Sequence, residues 1–340
     1  MAVVEQVLIA RHVMNESRTN LGPESRGTGP PHGPTIDLQR ILAPVNFSPA
    51  SQHGLAFAGA LAERFHSRLH LLHVVEPPVL PEWGYAHIPQ REAKLRRAAE
   101  ERLSQLPSEC GINPGLVVSA KVRSGEAEDE ICAAAAEERA DLVVLASHGL
   151  GGIQHAFFGS TAERVVRRAP CPVLTVRDRA LRKTGASPAT FDLKSILMTT
   201  DFSDESKKAF PYALAMARKF EASLLLLYVV PAHLPAELSR IGIVLEEGRL
   251  LEEARERLPR FRQAELDPHL RVDTLILNGG PAHEICRTAE TQAADLIVMA
   301  THGHTGLKHF MLGSVTENVV RHAPCPVLIV REREQEFVKG

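Results

Sequence analysis

The chain has 340 residues, more than the roughly 100 to 200 of one ordinary domain, so two domains are expected. Apolar residues make up 44 % and charged residues 24 %, a balance that supports a buried core and excludes global disorder. A formal net charge of −2, with acidic and basic residues interspersed, excludes the broad basic footprint of a nucleic-acid-binding protein.

The apolar stretch 3–13 has no basic segment before it and is interrupted by Glu5, Gln6, Arg11 and His12. It therefore does not read as a secretory signal, and the cytoplasm is the expected compartment. Residues 1–36 are expected to form a flexible leader, since 15–34 is rich in Gly, Pro, Ser and Arg and carries little apolar area to bury. A first domain follows over 37–177, with strands expected at 40–45, 68–75, 116–122, 142–147 and 172–176. The polar run 178–192, with Gly185 and Pro188, reads as a linker. A second domain over 193–331 places strands at 195–200, 223–230, 271–277, 296–301 and 326–330, and 332–340 remains as a tail. Stretches of helical period separate the strands, which is the signature of a parallel sheet between helices. Apolar runs such as 69–75 and 224–230 fall far short of the roughly 20 residues that span a bilayer, so no membrane partner is expected.

The two halves are copies. DLVVLASHGLGGIQHAFFGSTAERVVRRAPCPVLTVR, from Asp141, aligns without a gap on DLIVMATHGHTGLKHFMLGSVTENVVRHAPCPVLIVR, from Asp295, with about 22 of 37 positions identical. Upstream, GEAEDEIC matches GGPAHEIC and RILAPVNFS matches SILMTTDFS. A period of about 154 residues is one whole domain per copy. Of the five cysteines, Cys132 and Cys171 correspond to Cys286 and Cys325, and Cys110 stands alone. An odd number without a C-x2-C pair reads as buried core residues, not disulfides or a zinc site.

In a doubly wound sheet, ligands bind at the carboxyl ends of the strands where strand order reverses. That brings together the loop after the first strand, with Asn46 or Asp201, and the loop after the fourth. The fourth-strand loop carries Gly149, Gly159 and Ser160 in the first copy and Gly303, Gly313 and Ser314 in the second. Glycine lets the backbone approach an anion, and the amides of Ser314, Val315 and Thr316 at a helix start favour phosphate oxygens. The alternative is a plain strand-to-helix turn with an N-cap serine. His148, His302, His155 and His309 recur in these loops without a third or fourth ligand in range, so no metal site is expected. The charged runs 94–102 and 246–257 read as solvated helix faces. Neither a Ser-His-Asp set nor a P-loop is present, and catalysis is not expected.

The spacing G-x2-G-x9-G-[ST] after the fourth strand, an aspartate after the first and the trailing APCPVL closely resemble the universal stress protein family, over essentially all of 37–177 and 193–331. The resemblance implies an α/β fold of two tandem, doubly wound, five-stranded parallel-sheet domains, Rossmann-like and akin to adenine nucleotide alpha hydrolases. It implies an ATP-binding stress-response regulatory protein, with magnesium only as the nucleotide's counterion. The alternatives are a nucleotide-independent dimeric scaffold and a slow ATPase. By resemblance the aspartate contacts adenine, the glycine loop holds ribose and phosphates, and a strand-two backbone position lines the base pocket. These roles fall on Asp201, Val229, Gly303, Gly313, Ser314 and Val315 in the second copy. In the first they fall on Asn46, Val74, Gly149, Gly159, Ser160 and Thr161. Ala146 and Ala300 replace the motif's first glycine, adding a methyl. Asn46 lacks the paired charged acceptors of a carboxylate, so the first site is expected to be the weaker. Relatives with one domain pair through the last strand, which implies that the two copies pair with each other inside the chain, with Val173 and Val327 at a shared apolar seam. A homodimer of the whole chain stays open.

Overall fold

The computed structural model describes residues 34–76, 88–146, 159–177, 192–231, 243–265, 270, 272–301, 312–331 and 334–339. The first half forms β1 (Thr35–Ile36), β2 (Arg40–Pro44), α1 (Pro49–Phe65), β3 (Arg68–Val75), α2 (Ile88–Glu109), β4 (Val117–Ser124), α3 (Ala127–Glu137), β5 (Leu142–Ala146), α4 (Ser160–Arg168) and β6 (Val173–Val176). The second half forms β7 (Ser195–Thr200), α5 (Asp204–Lys207), α6 (Phe210–Phe220), β8 (Ser223–Pro231), α7 (Ile243–Glu265), β9 (Val272–Gly279), α8 (Pro281–Thr291), β10 (Leu296–Ala300), α9 (Ser314–His322), β11 (Val327–Val330) and β12 (Val338–Lys339).

Ten of these strands make one sheet in the order β4-β3-β2-β5-β6-β11-β10-β7-β8-β9. Within each half every neighbour is parallel, and the single antiparallel step is β6 on β11. Each half is therefore a five-stranded doubly wound unit, and the halves meet about an approximate two-fold at the β6–β11 seam. Strands near that seam are apolar on both faces, as the burial of Leu142 to Leu145 and of Val327 to Val330 requires in a sheet covered by helices on both sides. Alternation sends Leu174 and Leu328 into one core layer and Val173 and Val327 into the other, and each layer runs unbroken from one half to the other.

At the seam Val327 pairs with Thr175, Leu328 with Leu174 and Ile329 with Val173. Val173 and Val327 are both 1 % exposed, so the last strands, edges in an isolated half, are fully covered inside the chain. Approximate symmetry extends to the flanking side chains. Phe65 and Phe220 meet edge to face at 5.8 Å, with Arg64 over Phe220 and Lys219 over Phe65. Arg331 donates to the Ala169 carbonyl, and Arg177 donates to the Ala323 carbonyl at 3.4 Å, each placing a cation at the C-terminal end of the other half's helix.

Two features break the symmetry. The helix after strand one is continuous in the first half, where Ser48 caps it and accepts from the Ser51 amide. In the second half it divides into α5 and α6, because Pro211 lacks an N–H and its ring opposes the carbonyl four residues back. The C-terminal segment returns to the first half. Gln335 donates from its amide to the Pro170 carbonyl (2.7 Å) and from Nε2 to Asp141 Oδ1 (2.9 Å). Phe337 is buried edge to face against Tyr212 at 4.8 Å, and β12 pairs antiparallel with β1. Thr35–Ile36 and Val338–Lys339, in segments that the sequence assigns to leader and tail, thus form a ladder of their own.

Candidate functional site

In the first half β2 lies between β3 and β5, and in the second β7 lies between β8 and β10. Strand order reverses at β2 and at β7, which opens a crevice at their carboxyl ends. Continuing the ladder from Leu42 on Val143 puts Val45 level with Ala146, and from Met198 on Val298 puts Thr200 level with Ala300. The paired ladder itself ends at Leu42–Val143 and at Met198–Val298, so Asn46 and Asp201 follow strand one past its last pairing with strand four, on the side where the crevice opens.

Asn46 and Asp201 make the same turn. Asn46 Oδ1 accepts from the Ser48 amide (3.1 Å) and the Ser48 hydroxyl (2.7 Å), and Asp201 Oδ1 accepts from the Ser203 amide (3.0 Å) and hydroxyl (2.5 Å). Ser48 and Ser203 in turn cap α1 and α5. Between each pair stands a phenylalanine in the left-handed region, Phe47 at φ 60 and Phe202 at φ 64, a costly conformation for a bulky residue. Aromatic packing holds it there. Phe47 lies 4.3 Å from the His73 ring with the Arg102 guanidinium above it at 4.8 Å; Phe202 lies 4.5 Å from Tyr228 with Arg257 above it at 4.5 Å.

These two stacks are missed by sequence reasoning, which assigns Arg102 and Arg257 to solvated helix faces. The available signal is the triplet Glu-Arg-Leu ending at Leu103 and again at Leu258, together with a phenylalanine one residue past Asn46 and past Asp201. His73 Nδ1 lies 2.8 Å from the Val45 carbonyl, which can only accept, so Nδ1 carries the proton. Burial holds the His73 pKa below the ordinary histidine value, against the Val45 bond, and Arg102 pushes it the same way as burial. Burial raises the Tyr228 phenol, which Arg257 opposes.

On the other wall Gly159 and Gly313 are the N-cap residues of α4 and α9, and among the described residues no side chain caps either helix. Ser160 and Ser314 are thus the first helical residues and not capping serines. The intrahelical ladder begins with the Glu163 amide on the Gly159 carbonyl and the Glu317 amide on the Gly313 carbonyl, both at 3.0 Å. The amides of Ser160, Thr161 and Ala162, and of Ser314, Val315 and Thr316, lie ahead of that ladder at the positive end of the helix. Ser160 and Ser314 are exposed, Thr161 and Val315 half-buried. Thr316 is buried, and its hydroxyl donates to the Ala300 carbonyl at 3.0 Å and reaches that of Thr301 at 3.3 Å. That hydroxyl anchors the helix to the strand end and leaves only the Thr316 amide for a ligand.

Gly149, Gly303, His148, His302, His155 and His309 lie outside the described residues. A Cβ at Gly54 in α1 would stand 3.3 Å from the Ala146 nitrogen and 3.7 Å from its Cβ, so the Ala146 methyl faces helix packing. Val229 is 8 % exposed with its side chain in the core, and Val74 is half-buried, so strand two can offer a ligand chiefly its backbone. Because β6 and β11 run antiparallel, the two crevices open at opposite ends of the strands. No one small ligand can bridge them.

The universal stress protein family model matches residues 38–177 and again 193–331. The chain belongs to the universal stress protein family. A universal stress protein of Methanocaldococcus jannaschii is 40 % identical over 147 residues, 42 % of this chain and 85 % of its own length. A universal stress protein of Mycolicibacterium smegmatis is 28 % identical over 302 residues, covering 86 % of this chain and 97 % of its own, so it is similar across both copies. Among solved structures, a universal stress protein from Archaeoglobus fulgidus matches 87 % of this chain and 99 % of its own with a TM-score of 0.57; at 20 % identity that likeness speaks for the fold.

Proposed function

We propose that this universal stress protein is an ATP-binding regulatory protein of the cytoplasmic stress response, with one nucleotide site in each domain, 37–177 and 193–331. The second site binds the tighter. The observation that carries the reading is a carboxylate fixed in a turn at Asp201, after strand one, on the same side of the sheet as a helix start at Gly313 that no described side chain caps. The first suits the donor edge of a base, and the second suits phosphate oxygens, as does the exposed Ser314 hydroxyl. Magnesium travels with the nucleotide, and no protein ligand set is needed for it. Hydrolysis is not required either, since bound nucleotide acts by favouring one arrangement of the loops that hold it.

Calorimetric titration of the full chain with ATP tests this. Gly313 has φ −57 and ψ 136, a backbone that any residue adopts, so Gly313→Val obstructs phosphate approach without straining the turn. Gly313→Val and Asp201→Ala should each weaken the tighter of two binding events. A parent chain that takes no ATP, or two variants that bind as the parent does, would refute the assignment.

A further inference from the structure

We infer that the first domain's site selects a purine nucleotide bearing a carbonyl at C6, hypoxanthine or guanine, where the second selects adenine. The inference rests on the nucleotide-binding reading above and concerns which base each crevice reads.

The Asn46 amide is oriented by its neighbours. A backbone N–H can only donate, so the Asn46 atom 3.1 Å from the Ser48 amide must be the oxygen, and the Ser48 hydroxyl at 2.7 Å donates to the same atom. Asp201 spends Oδ1 on the matching amide and hydroxyl of Ser203. Carboxylate and carboxamide are planar and share one attachment geometry. The second head atom therefore occupies the same place in both halves, an anionic oxygen at Asp201 and an NH2 group at Asn46. Asn46 is exposed, and its Nδ2 makes no hydrogen bond within the described residues. The turn, the capping serine and the phenylalanine under an arginine are duplicated, with His73 standing where Tyr228 does, so this exchange inverts the hydrogen-bonding sense at that edge of the crevice within a shared turn.

Adenine presents an amino donor at C6, and hypoxanthine and guanine present a carbonyl. Against Nδ2, an adenine amino group sets donor against donor and leaves both desolvated and unpaired. A 6-oxo group accepts the bond instead, and sites discriminate strongly when a mismatch strands a polar group. Inosine triphosphate is the clean probe, because its base differs from adenine only at C6 and in the protonation of N1.

The experiment uses the full chain carrying Asp201→Ala and Gly313→Val to silence the second site, titrated with inosine triphosphate and with ATP. Inosine triphosphate should bind roughly tenfold tighter than ATP. Adding Asn46→Asp should reverse the order. Tighter ATP binding at the first site, or the same ratio with and without Asn46→Asp, overturns the inference and leaves the proposed function standing. A first site that takes neither nucleotide, in a chain whose second site takes ATP, overturns it too. An unmodified chain that takes neither at either site overturns the proposed function and this inference with it.

Discussion

Strand two carries His70 and His73 in the first half, while the corresponding places in the second hold Leu225 and Tyr228. The exchanges elsewhere follow the same division. Gly54 answers to Ala209, Ala56 to Pro211, Ala162 to Thr316 and Asn46 to Asp201, whereas the sheet order, the seam and the capping serines are common to both halves. Much of each crevice is kept too, at Phe47 and Phe202, Arg102 and Arg257, Gly159 and Gly313, and the physics changes at a few places, Asn46 and Asp201, His73 and Tyr228, and Ala162 and Thr316 among them. Two copies of one fold can thus hold different chemistry at equal structural cost, because the loops at the strand ends carry little of the packing.

The sharpest way to break this picture is at the seam. Val327→Lys would put an ammonium where 1 % of the side chain reaches solvent, opposite Thr175, at a cost of about 3 to 5 kcal/mol. Lysine at Val118, which is 50 % exposed on the outer strand β4, should cost almost nothing. Urea unfolding of both variants makes the contrast, and matching midpoints would mean that the halves are not joined through β6 and β11. Next in size is the C-terminal clasp. Phe337→Ala empties a fully buried site beside Tyr212 and should lower stability by about 3 kcal/mol. A loss below about 0.5 kcal/mol would show the segment to be undocked in solution.

Exchanging the crevice residues sharpens the comparison at a smaller scale. Asp201→Asn should weaken ATP at the second site and Asn46→Asp should strengthen it at the first, each by roughly tenfold. Affinities read with the other site disabled decide it, and equal affinities of the two parent sites would remove the asymmetry. The smallest effect concerns acid. Burial lowers both His70 and His73, so the folded state holds fewer protons than the unfolded chain once pH falls below about 6.5. Their contribution is complete above that pH and is lost as pH falls toward and through the depressed folded values. His70→Leu with His73→Tyr should therefore flatten the stability profile below about pH 6.5, and an unchanged slope there would argue against it.

Much of this architecture is legible in the sequence, for identifiable reasons. A duplicated 37-residue block fixes the repeat, and buried parallel strands such as Leu142–Ala146 are continuous apolar runs bounded by polar ones. The division of the second-half helix turns on Pro211, a local steric cause that comparison of the copies passes over because the repeat match lies in other segments. Val338–Lys339 was not legible, because two residues have no period and their partners at Thr35–Ile36 lie some 300 positions away. At the site, Asn46 and Asp201 stand out by comparison of the copies. Their shared turn does not, since it depends on φ at Phe47 and Phe202. The arginine stacks escape because an exposed helix face and a cation lying on a ring have the same composition.

The β1–β12 ladder makes the order of the modules arbitrary. Thr35 is the partner of Lys339, so the folded unit closes on itself like a ring with a clasp. A circularly permuted chain, joined at that clasp and cut between 178 and 191, would spell the second module before the first. No strand of the ten-stranded sheet is cut, so the same pairings are open to a chain that spells the second copy first.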